Sequence, residues 1–294
     1  MSASRSYSER VIKGWREFCS MLPPEVRSII EEMRAEQIRG ASYLAKRGAE
    51  AYVKLAQLLS GEELRKALKE IRREIIGVNP TMASLYNLVR FVPITGDASL
   101  VRARAEEFIR LAEEAKREIG NIGSELIDDG EVIITHSFSS TVLEIFKAAK
   151  GKGKRFRVIL TESAPDYEGL ALAEELESLG IPFEIITDAQ IGLFARKATL
   201  AIVGADNVTK DAVINKAGTY LLALTCHEQG VPFYVAAETF KLHPEARAEE
   251  VELLERPLVR GGRLVRNVLF DVTPWKYIRG IVTELGILVQ PKDV

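Results

Sequence analysis

Five short β-rich runs recur in the second part of the chain: Val132–Thr135, Phe156–Thr161, Phe183–Thr187, Leu200–Gly204 and Phe233–Ala237. Helical stretches such as Ser140–Lys150 and Gly169–Leu179 separate them. Strands that are apolar throughout are buried on both faces, and helices between them are crossovers. This pattern predicts a mostly parallel sheet covered by helices on both sides, in a Rossmann-like α/β arrangement. No such run occurs in the first 120 residues. The expected fold class is α/β, with an N-terminal all-helical domain over 1–120 and a Rossmann-like C-terminal domain over 121–294.

The first part reads as helix by its spacing of apolar residues. Ser8 to Leu22 is amphipathic, with Val11, Ile12, Trp15, Phe18 and Cys19 on one face. Pro23 and Pro24 end it and begin the next helix, expected over Glu25 to Leu59. Gly40 and Gly48 within that stretch each mark either a break or a close approach, since glycine costs about 1 kcal/mol in a helix interior. Gly61 to Ile76 and Leu85 to Phe91 follow. Asp97 then offers an N-cap for a long helix to about Ile119, and Gly120-Asn121-Ile122-Gly123 reads as its end.

Composition narrows the classes. With 40 basic and 42 acidic residues the net charge is −2, and 47% apolar residues suffice for a sizeable core. Residues 1–120 carry 21 Lys+Arg against 17 Asp+Glu, and residues 121–294 carry 19 against 25. A bias of +4 without a clustered patch does not make a nucleic-acid-binding domain. No apolar run is long enough to span a bilayer, the N-terminal stretch has no signal-peptide character, and two distant cysteines form no disulfide framework. A soluble cytoplasmic protein is expected. Five Gln and six Asn beside abundant Glu, Lys and Arg suit a thermophile.

Open parallel sheets bind ligands beyond the carboxyl ends of their strands. Those ends read Thr135-His136-Ser137, Thr161-Glu162-Ser163, Thr187-Asp188-Ala189, Gly204-Ala205-Asp206 and Ala237-Glu238-Thr239. Polar loops after strands explain part of this; the concentration of hydroxyls and carboxylates favours a small polar ligand. The first turn, Thr135 to Thr141, feeds straight into a helix. Its free N–H groups and hydroxyls suit a phosphate, and simple N-capping by Ser139 or Ser140 is the alternative. Asp206 follows an apolar strand and Gly204, so its carboxylate either faces a ligand as a base or hydroxyl acceptor, or caps a turn. Asn215 and Lys216 add an amide and a cation nearby. No GxGxxG, P-loop, HExxH, CxxC or GxSxG pattern occurs, so nicotinamide, kinase, metal and serine-hydrolase readings fail, and neither metal nor cofactor is expected.

The same strand ends carry a wider resemblance. THSFSSTVL at 135–143, TESAPDYEG at 161–169, GADNV at 204–208, INKAGT at 214–219 and FYVAAETFK at 233–241 resemble one superfamily. IRGA at 38–41, NPTMASL at 79–85 and DVTP at 271–274 extend the likeness over most of 38–284. That superfamily holds the alpha, beta and delta regulatory subunits of translation initiation factor 2B. It also holds isomerases acting on ribose-1,5-bisphosphate and methylthioribose-1-phosphate. Fold alone does not separate its enzymes from its non-enzymes.

The isomerase pattern implies a cysteine in the first turn working with the aspartate of the GAD motif. Asp206 matches that aspartate, and Asn215 and Lys216 match the Asn-Lys pair. The cysteine is replaced by Ser137, whose hydroxyl is far less acidic than a thiol. Two arginines of the isomerase-like pattern are also replaced, by Asn79 and Ala164, which removes bidentate phosphate contacts. Arg39, Gly40 and Ala41 remain, and Arg90 is expected to substitute for the loss at Asn79. His136, Phe138, Ser139, Ser140 and Glu162 complete the expected ligand-binding set.

The alpha regulatory subunit departs from the isomerases at similar places. The resemblance therefore implies a regulatory protein that binds a phosphorylated sugar or nucleotide without isomerase activity. It further implies a homodimer or higher even oligomer formed through the C-terminal domain, and initiation factor 2 as a protein partner. The alternative is an aldose–ketose isomerase on a phosphorylated pentose, using Asp206 with an unconventional acid. Membranes and direct nucleic-acid contacts are not expected.

Overall fold

A computed structural model describes residues 21–289. The expected helix at Ser8–Leu22, with Cys19, falls almost wholly outside the described residues. Five helices come first: α1 (Pro24–Ala35), α2 (Gly40–Leu58), α3 (Gly61–Val78), α4 (Ala83–Phe91) and α5 (Ala98–Ser124). The two glycines of the long expected helix play different parts. Gly40, with φ +69°, opens α2 after a break that follows Ala35. Gly48 lets α4 close in, because a Cβ there would sit 2.8 Å from Leu88 Cδ2.

Asp97 caps α5 by accepting from the Leu100 N–H at 3.1 Å. That helix does not stop at Ile119. It runs on through Gly120 and Gly123 to Ser124, so the expected division at 120 falls inside a helix. A Cβ on Gly120 would meet the Glu144 carbonyl at 2.9 Å, and one on Gly123 would overlap Ile145 at 2.4 Å. The glycines serve a close helix–helix approach, not a stop.

The second part contains β1 (Val132–Thr135), α6 (Ser140–Gly151), β2 (Arg157–Thr161), α7 (Glu168–Ser178), β3 (Phe183–Ile186), α8 (Ile191–Phe194) and β4 (Leu200–Val203). After these come β5 (Asn207–Thr209), β6 (Ala212–Lys216), α9 (Thr219–Gln229), β7 (Phe233–Ala236) and β8 (Leu242–His243). The last strands are β9 (Leu258–Arg260), β10 (Arg263–Val265), β11 (Phe270–Pro274), β12 (Gly280–Thr283) and β13 (Gly286–Leu288). The main sheet has the order β13-β12-β7-β4-β1-β2-β3, all parallel except β13. Successive residues alternate between two cores. Ile133, Val158 and Ile202 face α6 and α7, while Ile134, Ile159 and Ala201 face α8 and α9.

A four-stranded second sheet, β11-β6-β5-β8, lies beside the first and was not expected from the sequence. Its Ala212, Ile214 and Phe270 join the core of the helical part, with Tyr52, Leu85 and Phe108. The helical bundle is thus closed by strands from the second half. Among the described residues no helix is long and apolar enough to cross a membrane.

Candidate functional site

The chain lays down β1, β2 and β3 in one direction, then returns to place β4, β7 and β12 on the other side of β1. Between β1 and β4 the winding reverses, and the crevice beyond their carboxyl ends is where such sheets hold ligands. A cleft of about 780 Å³, part of it open to solvent, lies there. The turn after β1 and the Gly204-Ala205-Asp206 turn after β4 line its floor. The loop before α2 forms the facing wall.

The β1 turn is fixed by buried hydrogen bonds. His136 is enclosed, and its Nε2 lies 2.9 Å from the Ala217 carbonyl, so that nitrogen donates. Its Nδ1 then accepts from the Thr161 hydroxyl at 2.7 Å. Burial holds the imidazole pKa below its usual value, which keeps the ring neutral. Ser137 takes φ +65°, and its N–H donates to Ser163 Oγ at 2.8 Å. Ser139 caps α6, accepting from the Val142 N–H at 3.3 Å. Gly204 permits this packing, because a Cβ there would stand 2.6 Å from Ser139 Oγ. The start of α6, with Ser139 and Ser140, opens on the cleft.

Charged groups at the base are mostly paired. Lys216 Nζ donates to Asp166 at 2.9 Å and Glu168 at 3.2 Å, and all three line the cleft. Glu168 also accepts the Ser137 hydroxyl at 2.5 Å. Burial raises the Glu168 pKa, against the opposing pull of Lys216 and Ser137. Lys241 pairs with Glu238 at 2.9 Å, and Glu238 accepts from Ser42 at 2.9 Å and Thr141 at 3.0 Å. Burial would raise Glu238, yet Lys241 and its hydrogen bonds hold it below the usual range. Asp206 differs from these. No described residue donates to its carboxylate, and burial lifts its pKa to about 6 despite nearby Lys241.

The helical wall is arranged otherwise. Glu36 Oε1 accepts from the consecutive N–H groups of Gln37, Ile38 and Arg39 at 3.1, 2.9 and 3.1 Å. Arg39 pairs with Glu36 at 3.1 Å and stacks over Tyr43, while its side chain remains 60% exposed. Asn79 is buried, and its amide oxygen accepts from the Thr81 N–H at 3.2 Å.

Of the residues expected from the sequence, Arg39, Gly40, Ala41, Ser137, Phe138, Ser139, Ser140, Asp206, Asn215 and Lys216 come together on the cleft. Three do not. Arg90 is exposed, pairing with Glu245 at 3.3 Å and bonding the Tyr86 hydroxyl, so it does not substitute for an arginine at Asn79. His136 lies behind the lining, with both ring nitrogens engaged. Glu162 only extends the β2–β3 ladder, its N–H donating to the Ile186 carbonyl at 2.8 Å, and is absent from the lining.

The structure adds Glu36, Asp166, Glu168, Lys241 and Arg256. Asp166, Glu168 and Lys241 stand inside the motifs already singled out, so their order along the chain was visible and their convergence was not. Arg256 carries no motif; it reaches the cleft from beyond β8. Its guanidinium makes no hydrogen bond or ion pair among the described residues. Nor do those residues contain a His, Cys, Asp and Glu cluster able to hold a metal ion.

A doubly wound sheet with a polar cleft at its switch point, faced by a helical bundle, defines a class of two-part α/β proteins. The chain belongs to the Initiation factor 2 subunit family, whose family model matches residues 37–290. An eIF-2B subunit 2-like protein of Pyrococcus horikoshii is 62% identical over 275 residues, covering 93% of this chain and 100% of that one. The crystal structure of Pyrococcus horikoshii OT3 translation initiation factor eIF-2B, with the same identity and coverage, aligns at a TM-score of 0.91. A ribose 1,5-bisphosphate isomerase of Archaeoglobus fulgidus is 37% identical over 281 residues, covering 90% of each chain.

Proposed function

We propose that the cleft binds a singly phosphorylated sugar or nucleotide as a regulatory ligand. The protein then acts as an alpha-subunit-like member of its family, without isomerase turnover. One observation carries this reading: the first turn offers Ser137, whose hydroxyl is already held by Glu168, where an isomerase would place its thiol. A serine hydroxyl is too weak an acid near pH 7 to replace a thiol unaided. The charge balance agrees. Lys216 and Lys241 are neutralised by buried and part-buried carboxylates, leaving Arg256, and Arg39 through the exposed side of its pair with Glu36, for an incoming anion. Two guanidiniums and the start of α6 suit one phosphate, and Asp206 faces the sugar hydroxyls. The helical half supplies a protein-binding face toward initiation factor 2.

The test is twofold. Ribose 5-phosphate and nucleoside monophosphates at millimolar concentration should raise the melting temperature, by mass action. Proton NMR should show no aldose-to-ketose conversion of ribose-1,5-bisphosphate or related pentose phosphates. Turnover that vanishes in Asp206→Asn would overturn the regulatory reading.

One contact favours the isomerase alternative. Glu168, buried and raised in pKa, accepts the Ser137 hydroxyl; once protonated it would return a proton through that hydroxyl to the substrate, while Asp206 removes one from the neighbouring carbon. Loss of turnover in Glu168→Gln, with binding retained, is the result this reading requires.

A further inference from the structure

Glu238 stands in the turn after β7 and is 3% exposed, yet it does not line the cleft. Its two oxygens have separate tasks. Oε1 accepts from the Ser42 hydroxyl at 2.9 Å and from the Thr141 hydroxyl at 3.0 Å. Ser42 belongs to the first turn of α2, and Thr141 to the first turn of α6. One carboxylate oxygen thus joins the starts of two helices that both open on the cleft. The other oxygen, Oε2, pairs with Lys241 Nζ at 2.9 Å.

Lys241 is the group this arrangement restrains. It is buried, and it lines the cleft. Its N–H donates to the Glu238 carbonyl at 2.8 Å, in a turn fixed by Glu284, which accepts from the Thr239 N–H at 3.0 Å. Backbone and ion pair together hold the ammonium on Glu238. Burial would raise the Glu238 pKa, but Lys241 keeps it below the usual range, so the carboxylate stays charged. Lys116 of α5 acts on Glu238 in the same sense and is absent from the lining.

The cleft as a whole is balanced, with four basic residues in its lining against four acidic ones. A phosphate dianion there relies on directed hydrogen bonds and a guanidinium, and a second dianion needs a further cation. Lys216 is shared by two carboxylates, whereas Lys241 is held by one. A single substitution is therefore enough to release Lys241.

Resting on the reading of this cleft as a phosphate site, we propose that Glu238 determines its specificity: by holding Lys241, it limits the cleft to monophosphates. Glu238 is a positioning residue that touches no ligand and acts through the lysine. Exchanging the carboxylate for an amide isolates the effect. In Glu238→Gln the amide oxygen still accepts from Ser42 and Thr141, so the two helix starts stay joined. The amide nitrogen then faces Lys241, donor against donor, and the ammonium is released to the cleft. There it makes a charge-assisted contact with a second phosphate.

Calorimetric titration of the full chain with ribose 5-phosphate and ribose 1,5-bisphosphate tests this. Wild type should bind the monophosphate at least as tightly as the bisphosphate. Glu238→Gln should raise affinity for the bisphosphate at least about tenfold more than for the monophosphate. A purely structural role would instead weaken both probes by one factor. Adding Lys241→Gln to Glu238→Gln should return the ratio to its wild-type value. Should the single variant prove unfolded by circular dichroism, the double variant still decides, since it removes both charges of the pair. A tenfold loss of monophosphate affinity in it would mean that Lys241 already holds the phosphate, and would overturn the proposal. A wild type that prefers the bisphosphate, or an unchanged ratio in folded Glu238→Gln, would overturn it alone. If wild type binds neither probe, the phosphate reading fails and this proposal falls with it.

Discussion

The two walls of the cleft are built on different terms. On the sheet side, His136, Ser137, Glu168 and Lys216 are buried and tied to one another before any ligand arrives. On the helical side, Arg39 is mostly exposed, and the turn that carries it is closed on the carboxylate of Glu36. A buried ionic network is stable only as a complete set, because a charge left alone there has no water to solvate it. An exposed ion pair such as that of Arg39 with Glu36 contributes little to folding, because solvent screens it.

The sharpest way to break the sheet wall is Lys216→Met. It leaves buried Glu168 and part-buried Asp166 without their cation, and should cost about 3–5 kcal/mol in denaturant unfolding. A loss below about 1 kcal/mol would mean that the network is open to solvent.

Asp206→Asn should act in the opposite sense. The carboxyl group moves from its ordinary 3.8 to about 6 on folding, so the native state binds more protons between these values. Stability therefore falls as pH rises through that window. The variant should be more stable than wild type at pH 7–8 by about 1–3 kcal/mol, with the gain gone near pH 4. Thermal melts across pH 4–8 measure this, and the same variant should bind sugar phosphates more weakly.

Arg39→Ala should leave folding within about 0.5 kcal/mol, as for an exposed ion pair, yet weaken binding of ribose 5-phosphate. Calorimetric titration separates the two. Arg90→Ala, paired with Glu245 away from the cleft, should alter neither stability by more than about 0.5 kcal/mol nor affinity for the same probe.

The main sheet was legible because its strands are buried on both faces, so each appears as an uninterrupted apolar run. The second sheet was not. Its β5 and β6 carry Asn207, Thr209, Asn215 and Lys216 among apolar neighbours, and strands of three to five residues show no usable period. Gly120 and Gly123 misled for a definite reason: a glycine serving a close helical approach looks, in one sequence, like a glycine that ends a helix. The site was legible along the strand ends, where polar residues cluster after apolar runs. Arg256 was hidden because it comes from the root of a ribbon far along the chain. Arg90 was attractive only by its nearness to Asn79 in sequence. Eleven residues of helix and turn carry it outside the cleft.

Helix α5 has a mechanical consequence. Its 27 residues span about 40 Å, with Phe108 set in the bundle core and Ile119 in the core beneath the sheet. A continuous rod pinned in both halves resists bending where a hinge would be needed. Gly120 and Gly123 do not soften it, because α6 lies hard against them. The two cores are thereby coupled through one rod, and the turn between Ala35 and Gly40, which carries Arg39, stands apart from it.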